Sequence, residues 1–384
     1  MVTPKLRFKE FEGDLTESKL VELTLWASGG TPAKDIPEYW GDDIPLISGA
    51  SMHTNQLYES DVKITRLGLQ KGSKLAPKDS ILILVRGSML FNKIPMGITL
   101  GDVAFNQDVK CIRPKQELAP QFLFQWLHAK ENTIQNKVTA TGIGAGKLDT
   151  ADLQNLKLYK PSSEEQTKIA SFLSAVDEKI SQLTQKHQLL SQYNQGMMQK
   201  LFSQQIRFKA DDGSEFGEWE EIALGKIKGV SIASGKSSHE KLELAKYYYY
   251  GSTGVIGYSN EYDYQGTRIL IARVGHNAGY IYMVSGQYNV SDNTLILELP
   301  SNLDYIFIRA FLEKFQLNKL VFGTGQPLIT GSLLKKVVIQ VPCLEEQKKI
   351  ANFLSAIDQK IEVVAQQIEQ AKQWKKGLLQ QMFV

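Results

Sequence analysis

Few residues in this chain stand at the spacings that catalysis requires. Lys147 ends the run Gly142-Ile-Gly-Ala-Gly-Lys147, but Leu148 follows where a phosphate-cradling loop needs Ser or Thr. Gly235-Lys-Ser237 has the right ending, yet Val230 stands where the first glycine belongs, and Gly229 is one residue out. The glycines of the 142 run alternate, so they also miss the dinucleotide-binding pattern. No Asn-Pro-Pro-Tyr-type or Asp-Pro-Pro-Tyr-type segment of an adenine methyltransferase occurs, and no G-x-S-x-G elbow. The five histidines (His53, His128, His187, His239, His276) lie too far apart for local metal-ligand spacing. An autonomous enzyme is disfavoured.

Binding chemistry is better represented. Ser28-Gly-Gly-Thr-Pro-Ala-Lys34, Ser48-Gly-Ala-Ser51 and Arg86-Gly-Ser88 are small, polar and punctuated by glycine. Farther along come Ser234-Gly-Lys-Ser-Ser238, the run Tyr247 to Tyr250 followed by Gly251-Ser-Thr253, and Arg273-Val-Gly-His-Asn277. Glycine lets backbone approach a ligand closely, and Ser, Thr, Asn, Lys and Arg donate to phosphates or base edges. Any one of these loops is explained by ordinary turn chemistry. Their recurrence at matching places in two halves of the chain is the argument for a binding edge.

The elements that position these loops come in two copies. Pro161-Ser-Ser-Glu-Glu-Gln-Thr-Lys-Ile-Ala-Ser-Phe-Leu-Ser-Ala-Val-Asp-Glu-Lys-Ile180 recurs 181 residues later as Pro342-Cys-Leu-Glu-Glu-Gln-Lys-Lys-Ile-Ala-Asn-Phe-Leu-Ser-Ala-Ile-Asp-Gln-Lys-Ile361, with 14 of 20 positions identical. Gly196-Met-Met-Gln-Lys-Leu-Phe202 matches Gly377-Leu-Leu-Gln-Gln-Met-Phe383 at the same offset, and Thr141-Gly-Ile-Gly144 aligns with Phe322-Gly-Thr-Gly325. Leu6-Arg-Phe-Lys9 resembles Ile206-Arg-Phe-Lys209 at an offset of 200, a match short enough to arise by chance. The chain reads as a variable block and a helix, twice over, with the first block longer by 19 residues.

Each copy starts like a helix, with a proline before it, Ser162 or Ser163 as cap of the first, and paired glutamates in the first turn. Apolar positions then step 4-3-4-3. They run Ile169, Leu173, Val176, Ile180, Leu183, His187, Leu190, Asn194, Met197, Leu201, and again Ile350, Leu354, Ile357, Ile361, Val364, Ile368, Ala371, Lys375, Leu378, Met382. That is a coiled-coil seam. Asn194 and Lys375 occupy one corresponding seam site, either as register-fixing polar residues or as part of a solvated helix end. About 40 residues of helix span roughly 60 Å. The simplest arrangement is an antiparallel pair with a globular head at each end and a pseudo-twofold axis between.

The expected fold class is α+β, two mixed heads separated by long antiparallel coiled-coil helices. The segments are 1–160 for the first head, 161–202 for its helix, 203–341 for the second head and 342–384 for its helix. Ser80–Val85, Val103–Asn106, Arg268–Arg273 and Thr294–Glu298 read as strands, and Pro120–His128 and Asp304–Leu312 as helices in equivalent places.

Composition bounds the partners. Hydrophobic residues make up 42% and charged residues 22%, ordinary for a globular protein, and a net charge of +3 neither demands nor excludes nucleic acid. Cys111 and Cys343 offer neither a disulfide framework nor a CxxC pair, as expected of a reducing cytoplasm. The longest apolar runs, such as Ile81–Val85, fall far short of the roughly 18–20 residues that span a bilayer, and the first residues lack an apolar signal region.

Taken together, the duplicated Pro-x-x-Glu-Glu-Gln-x-Lys-Ile-Ala-x-Phe-Leu segments, the Gly- and Leu-rich stretches at 142–158 and 323–339, and Gly29-Gly-Thr-Pro32 followed by Tyr39-Trp-Gly41 resemble the DNA-specificity subunits of type I restriction–modification systems. The resemblance covers essentially the whole chain. It implies two target-recognition domains, each reading half of a bipartite double-stranded DNA site, with the paired helices as a ruler that also docks two methylation subunits; because the heads differ in sequence and length, the half-sites should differ and the target should be asymmetric. It further implies that catalysis, with S-adenosylmethionine, ATP and Mg, belongs to the methylation and restriction subunits, and that this chain binds no cofactor, no metal and no membrane. The near-neutral charge is a mild departure for a DNA binder.

The resemblance does not specify reading residues. Residue type and loop position nominate Lys34, Ser48, Ser51, Arg86, Asn92, Lys93, Thr141 and Lys147 in the first head. They nominate Lys236, Tyr250, Ser252, Arg273, His276, Asn277, Thr324 and Gln326 in the second. The competing reading is a protein-binding scaffold with two heads on a coiled coil; a weaker third is a single-chain nuclease.

Overall fold

Two long helices, Ser163–Phe202 and Leu344–Met382, dominate the computed structural model, which describes residues 3–142, 144–321 and 327–384. The first begins where Ser162 accepts the Glu165 amide at 3.3 Å, relieving one of the unpaired donors of a helix start. Acidic residues fill the first turn of each, complementing the helix dipole. The repeated Glu-Glu-Gln then proves to be a packing device. Glu165, 2% exposed, accepts two bonds from the Arg7 guanidinium at 2.8 and 2.7 Å. Glu346, fully buried, accepts the equivalent pair from Arg207 at 3.1 and 2.7 Å, with a third bond from the Trp219 indole at 3.1 Å. Arg7 and Arg207 each donate onward, to the carbonyls of Gly13 and Gly217. The short Arg-Phe-Lys match is therefore a true structural equivalence.

The glutamines work the same way. Gln166 accepts the Ala119 amide and donates to the Glu117 and Pro161 carbonyls; Gln347 accepts the Asp304 amide and donates to the Asn302 and Pro342 carbonyls. Ala119 and Asp304 are the N-caps of the head helices Pro120–Ala129 and Tyr305–Phe315, so each long helix is bonded to the start of a helix in its head.

The chain divides into two compact units, Met1–Thr184 with Gln366–Val384, and Gln185–Ala365. Each unit thus holds a head and half of both long helices. In the first unit, Ile169, Leu173 and Val176 share a core with Leu378, Leu379 and Met382, and Lys375 bonds Asp177 at 2.6 Å. In the second, Leu201 and Phe202 share a core with Ile350, Ala351 and Leu354, and Asn194 donates to Asp358 at 2.8 Å. Ascending numbers on one helix meet descending numbers on the other, so the segments run antiparallel within each unit. Val176, Leu183, Ile357, Val364 and Ile368 are buried, while Ile180, Leu190, Met197 and Ile361 are half-buried.

Each head carries the same arrangement of strands. In the first, a sheet runs in the order Thr24–Ser28, Val109–Pro114, Ile81–Leu84, Met96–Thr99, Gln56–Leu57, and a second contains Trp40–Ile47 parallel to Val103–Phe105. In the second head, Ser231–Ser234, Thr294–Glu298, Arg268–Ala272 and Ile281–Val284 repeat the first four positions, and Tyr247–Gly251 runs parallel to Gln287–Val290. The central strand Ile81–Leu84 is buried at every position, as expected of a run of four branched residues covered on both faces. Antiparallel pairs join Thr16–Lys19 with Lys157–Lys160, and Glu220–Ala223 with Val338–Val341, the later strand of each pair standing just before a long helix in sequence. The content is α+β. No helix among the described residues is long and apolar enough to cross a membrane.

Candidate nucleic-acid interface

The sequence-nominated loops of the first head gather around one turn, Asn106-Gln107-Asp108, which follows the strand Val103–Phe105. The Gly30 amide donates to the Phe105 carbonyl at 3.0 Å, Thr31 Oγ1 to Gln107 Oε1 at 2.8 Å, and the Asn106 amide to the Ile47 carbonyl at 3.0 Å. The Val85 amide donates to the Asp108 carbonyl, and the Val85 carbonyl accepts the Leu148 amide. A Cβ on Gly29 would lie 2.1 Å from the Phe105 oxygen, so glycine is required there by the neighbouring strand rather than by a ligand.

The second head repeats this around Ser291-Asp292-Asn293. The Gly235 amide donates to the Thr294 carbonyl, the Ser291 amide to the Tyr250 carbonyl, and the Arg273 amide to the Asn293 carbonyl, while the Arg273 carbonyl accepts the Ile329 amide. A Cβ on Gly235 would sit 2.3 Å from the Ser291 oxygen. Ser237 Oγ donates to Asp292 at 2.9 Å, as Thr31 does to Gln107. Gln107 and Asp292 were not singled out by sequence, because each sits in a two-residue turn with no motif around it.

Within this framework the nominated residues separate. Arg86 and Lys147 are register partners on the small sheet of Arg86–Gly87, Gly146–Lys147 and Thr139–Ala140, and both are exposed. The pairing sets two cations side by side at the loop cluster. Lys34 is exposed on the loop after Thr24–Ser28. Ser48 and Ser51 are half-buried and close their own turn: Ser51 Oγ accepts the Ser48 amide at 3.1 Å and meets Ser60 Oγ at 3.1 Å. Thr141 Oγ1 donates to the Ala145 carbonyl, holding the hairpin tip beside Gly144. Asn92 and Lys93 are both exposed, and their amides donate to the Met89 carbonyl. Asn92 lines a groove with His128, Glu131, Asn132, Gln135, Lys372 and Lys376.

In the second head, Lys236 is exposed, and its carbonyl accepts the Tyr249 hydroxyl at 3.1 Å. Ser252 is half-buried at the turn between Tyr247–Gly251 and Gly254–Ser259. Tyr250 is half-buried among Tyr248, Tyr282 and Tyr288; burial pushes its phenol above the ordinary value, so it is a neutral donor at physiological pH. Arg273 reaches Ser234 Oγ at 3.3 Å, and its buried Nε has no partner among the described residues. His276 and Asn277 are exposed and line a groove with Tyr280, Glu313, Gln316 and Asn318. Thr324 and Gln326 lie outside the described residues.

The hydrogen bonds also fix how the heads correspond. Val85 and Arg273 occupy the same place, each taking a carbonyl from the turn and giving one to the strand end at 148 or 329. Arg86 therefore matches Val274, and the two loop arginines are not equivalents. The loops recur while the side chains on them differ.

A family model described as "Type I restriction modification DNA specificity domain" matches residues 12–192 and 217–373. The chain is 27% identical to the putative type I restriction enzyme MjaX specificity subunit of Methanocaldococcus jannaschii, over 98% of this chain and 94% of that protein. It is 29% identical over 182 residues to the EcoR124I/EcoR124II specificity subunit of Escherichia coli, a match covering 47% of this chain and 45% of that one. The crystal structure of the type I restriction–modification S subunit from M. genitalium shares the fold, with a TM-score of 0.65 at 19% identity over 100% of this chain and 99% of that one. Two matches of one domain model, one on each head with its helix, agree with the duplicated loop frameworks: the chain belongs to the type I restriction–modification DNA-specificity family.

Proposed function

We propose that this chain is the non-catalytic, cytoplasmic subunit that selects the DNA target of a type I restriction–modification complex. Each head reads one half of an asymmetric bipartite site in double-stranded DNA. S-adenosylmethionine, ATP and Mg act on the methylation and restriction subunits, two methylation subunits docking on the helices. The observation that carries this reading is the pair of loop clusters built on one hydrogen-bond framework and furnished with different side chains. A common scaffold with divergent loops is what reading two unlike sequences requires.

In this reading the long helices pair as an antiparallel coiled coil about a pseudo-twofold axis. Supporting it, Asp177–Lys375 and Asn194–Asp358 exchange places under the 181-residue repeat, since Asp358 follows Asp177 and Lys375 follows Asn194 by that offset. Half-sites read from one face of B-DNA lie about 34–36 Å apart, and a 40-residue helix of roughly 60 Å is long enough to set that separation.

Methylome sequencing of the host with this chain present and deleted tests the proposal. Loss of one bipartite, asymmetric motif on deletion is the expected result, and it identifies both half-sites and the spacer. An unchanged methylome with the methylation subunits expressed would overturn it in favour of a protein-binding scaffold.

A further inference from the structure

The second head carries a feature that the common framework does not need. Ten of the fifteen tyrosines lie between 247 and 288. Five of them form a continuous ribbon: Tyr258 to Tyr248 at 5.4 Å between ring centroids, Tyr248 to Tyr250 at 6.0 Å, Tyr250 to Tyr282 at 6.1 Å, and Tyr282 to Tyr280 at 5.9 Å. The middle of the ribbon is half-buried, but Tyr248 is 49% and Tyr280 58% exposed, and Val255, the register partner of Tyr250 on the next strand, is 47% exposed.

The ribbon runs into the loop cluster at two points. Tyr282 donates its hydroxyl to the Gly251 carbonyl, next to Ser252. Tyr280 donates its amide to the Asn277 carbonyl and lines the same groove as His276 and Asn277. Lys236 and Arg273 belong to that loop cluster too, Lys236 through its carbonyl to Tyr249 and Arg273 through its contact with Ser234.

The fold alone does not explain these rings. The Leu84 amide donates to the Pro95 carbonyl just as the Ala272 amide donates to that of Tyr280, so Pro95 stands where Tyr280 does. Two residues on, Gly97 stands in place of Tyr282. Ile47 takes the place of Tyr250, by their shared bonds to the residue after the parallel strand, and Pro45 that of Tyr248. The first head builds the same sheets with no aromatic at any of these positions.

We infer that the Tyr248–Tyr250–Tyr282–Tyr280 ribbon is the surface on which the second head takes duplex DNA, its rings against deoxyribose and thymine methyls. The inference rests on the DNA-reading role proposed above. It makes recognition in this head chiefly aromatic, whereas the Arg86–Lys147 edge makes it chiefly ionic in the first. Tyrosine suits the task because its ring contributes large contact area at small entropic cost.

The test uses the full chain assembled with its methylation subunits and a duplex carrying the motif found by methylome sequencing. Tyr248→Ala/Tyr280→Ala, altered only at exposed rings, should weaken binding by about 10- to 100-fold with the slope of log affinity against log salt unchanged. Tyr248→Phe/Tyr280→Phe should stay within about threefold of wild type, separating ring from hydroxyl. Arg86→Ala/Lys147→Ala should instead flatten the slope by up to about two, near 0.9 for each phosphate that is no longer neutralised. Binding of the alanine pair within twofold of wild type overturns the inference while leaving the DNA-reading role intact. So does failure of that variant to assemble with the methylation subunits, which would assign the ribbon to a protein partner. Absence of sequence-specific binding by the wild-type complex would sink the DNA-reading role itself.

Discussion

Replacing Arg7 by Met should destabilise the first unit more than replacing Arg207 by Met destabilises the second. Glu165 is 2% exposed, and among the described residues its carboxylate takes both of its hydrogen bonds from Arg7. Removing one partner of such a pair leaves a carboxylate without compensation, a change that costs about 3–5 kcal/mol when burial is complete. Arg7 is itself 17% exposed, which admits some water, so about 2–4 kcal/mol is expected. Glu346 is fully buried but keeps the Trp219 indole at 3.1 Å after Arg207 is replaced. That charge-assisted bond should retain about 1–2 kcal/mol, making Arg207→Met the milder change. Urea unfolding of each purified variant, followed by fluorescence and by amide exchange in each unit, measures the two losses. Arg7→Met/Glu165→Met should recover much of the first loss, because the pair costs desolvation as well as giving attraction. An Arg7→Met variant within about 0.5 kcal/mol of wild type, or a larger loss at Arg207, would refute the reasoning.

Three further outcomes follow from the helices and the first head. Inserting one heptad at matching places in both long helices adds about 10.5 Å of rise and should lengthen the unspecified spacer by about three base pairs; methylome sequencing reads this directly, and an unchanged spacer rejects the ruler. A double-mutant cycle on Asp177→Ala and Lys375→Ala should give a coupling of about 1–2 kcal/mol, because Lys375 is only 11% exposed; a coupling near zero would make that ion pair incidental. Burial alone would raise the Glu131 carboxyl, but the His128 ring and the Ile94 amide at 3.1 Å outweigh it and hold the group below the ordinary carboxylate range. Its stabilising contribution is therefore present above the unfolded value of about 4.3 and lost as pH falls through the lower folded value. Glu131→Gln should remove that part of the acid sensitivity of the first head in pH-jump unfolding.

What the sequence revealed and what it hid divide along the range of the interactions. The long helices were legible because a 4-3 apolar step repeated over 40 residues is a local signal. Strands such as Ile81–Leu84 were legible because branched residues between turn signals are also local. The role of Glu165 was not, because its partner Arg7 lies 158 residues away and the corresponding Arg207 and Glu346 are 139 apart. Residue type alone does not say which position of one head answers Arg273 of the other; the bonds to 108 and 293 show that it is Val85. Ser48 and Ser51 stood out as polar loop residues, but that the Ser51 hydroxyl bonds the Ser48 amide and meets Ser60 was not legible in the sequence. The convergence on Asn106–Asp108 and Ser291–Asn293 was invisible because strand order is set by tertiary packing, which no single segment encodes.

The division of both long helices between the units has a consequence for biosynthesis. The core of the first unit contains Leu378, Leu379, Met382 and Phe383, whereas its other members end before residue 184. At about 5–20 residues per second, roughly 10–40 s pass between synthesis of Thr184 and of the segment that covers Ile169, Leu173 and Val176. The second unit is drawn from one uninterrupted stretch and has all its residues before that moment. The head made first is thus the one completed last, and a ribosome that stalls late releases a chain with an open apolar stripe on its older half.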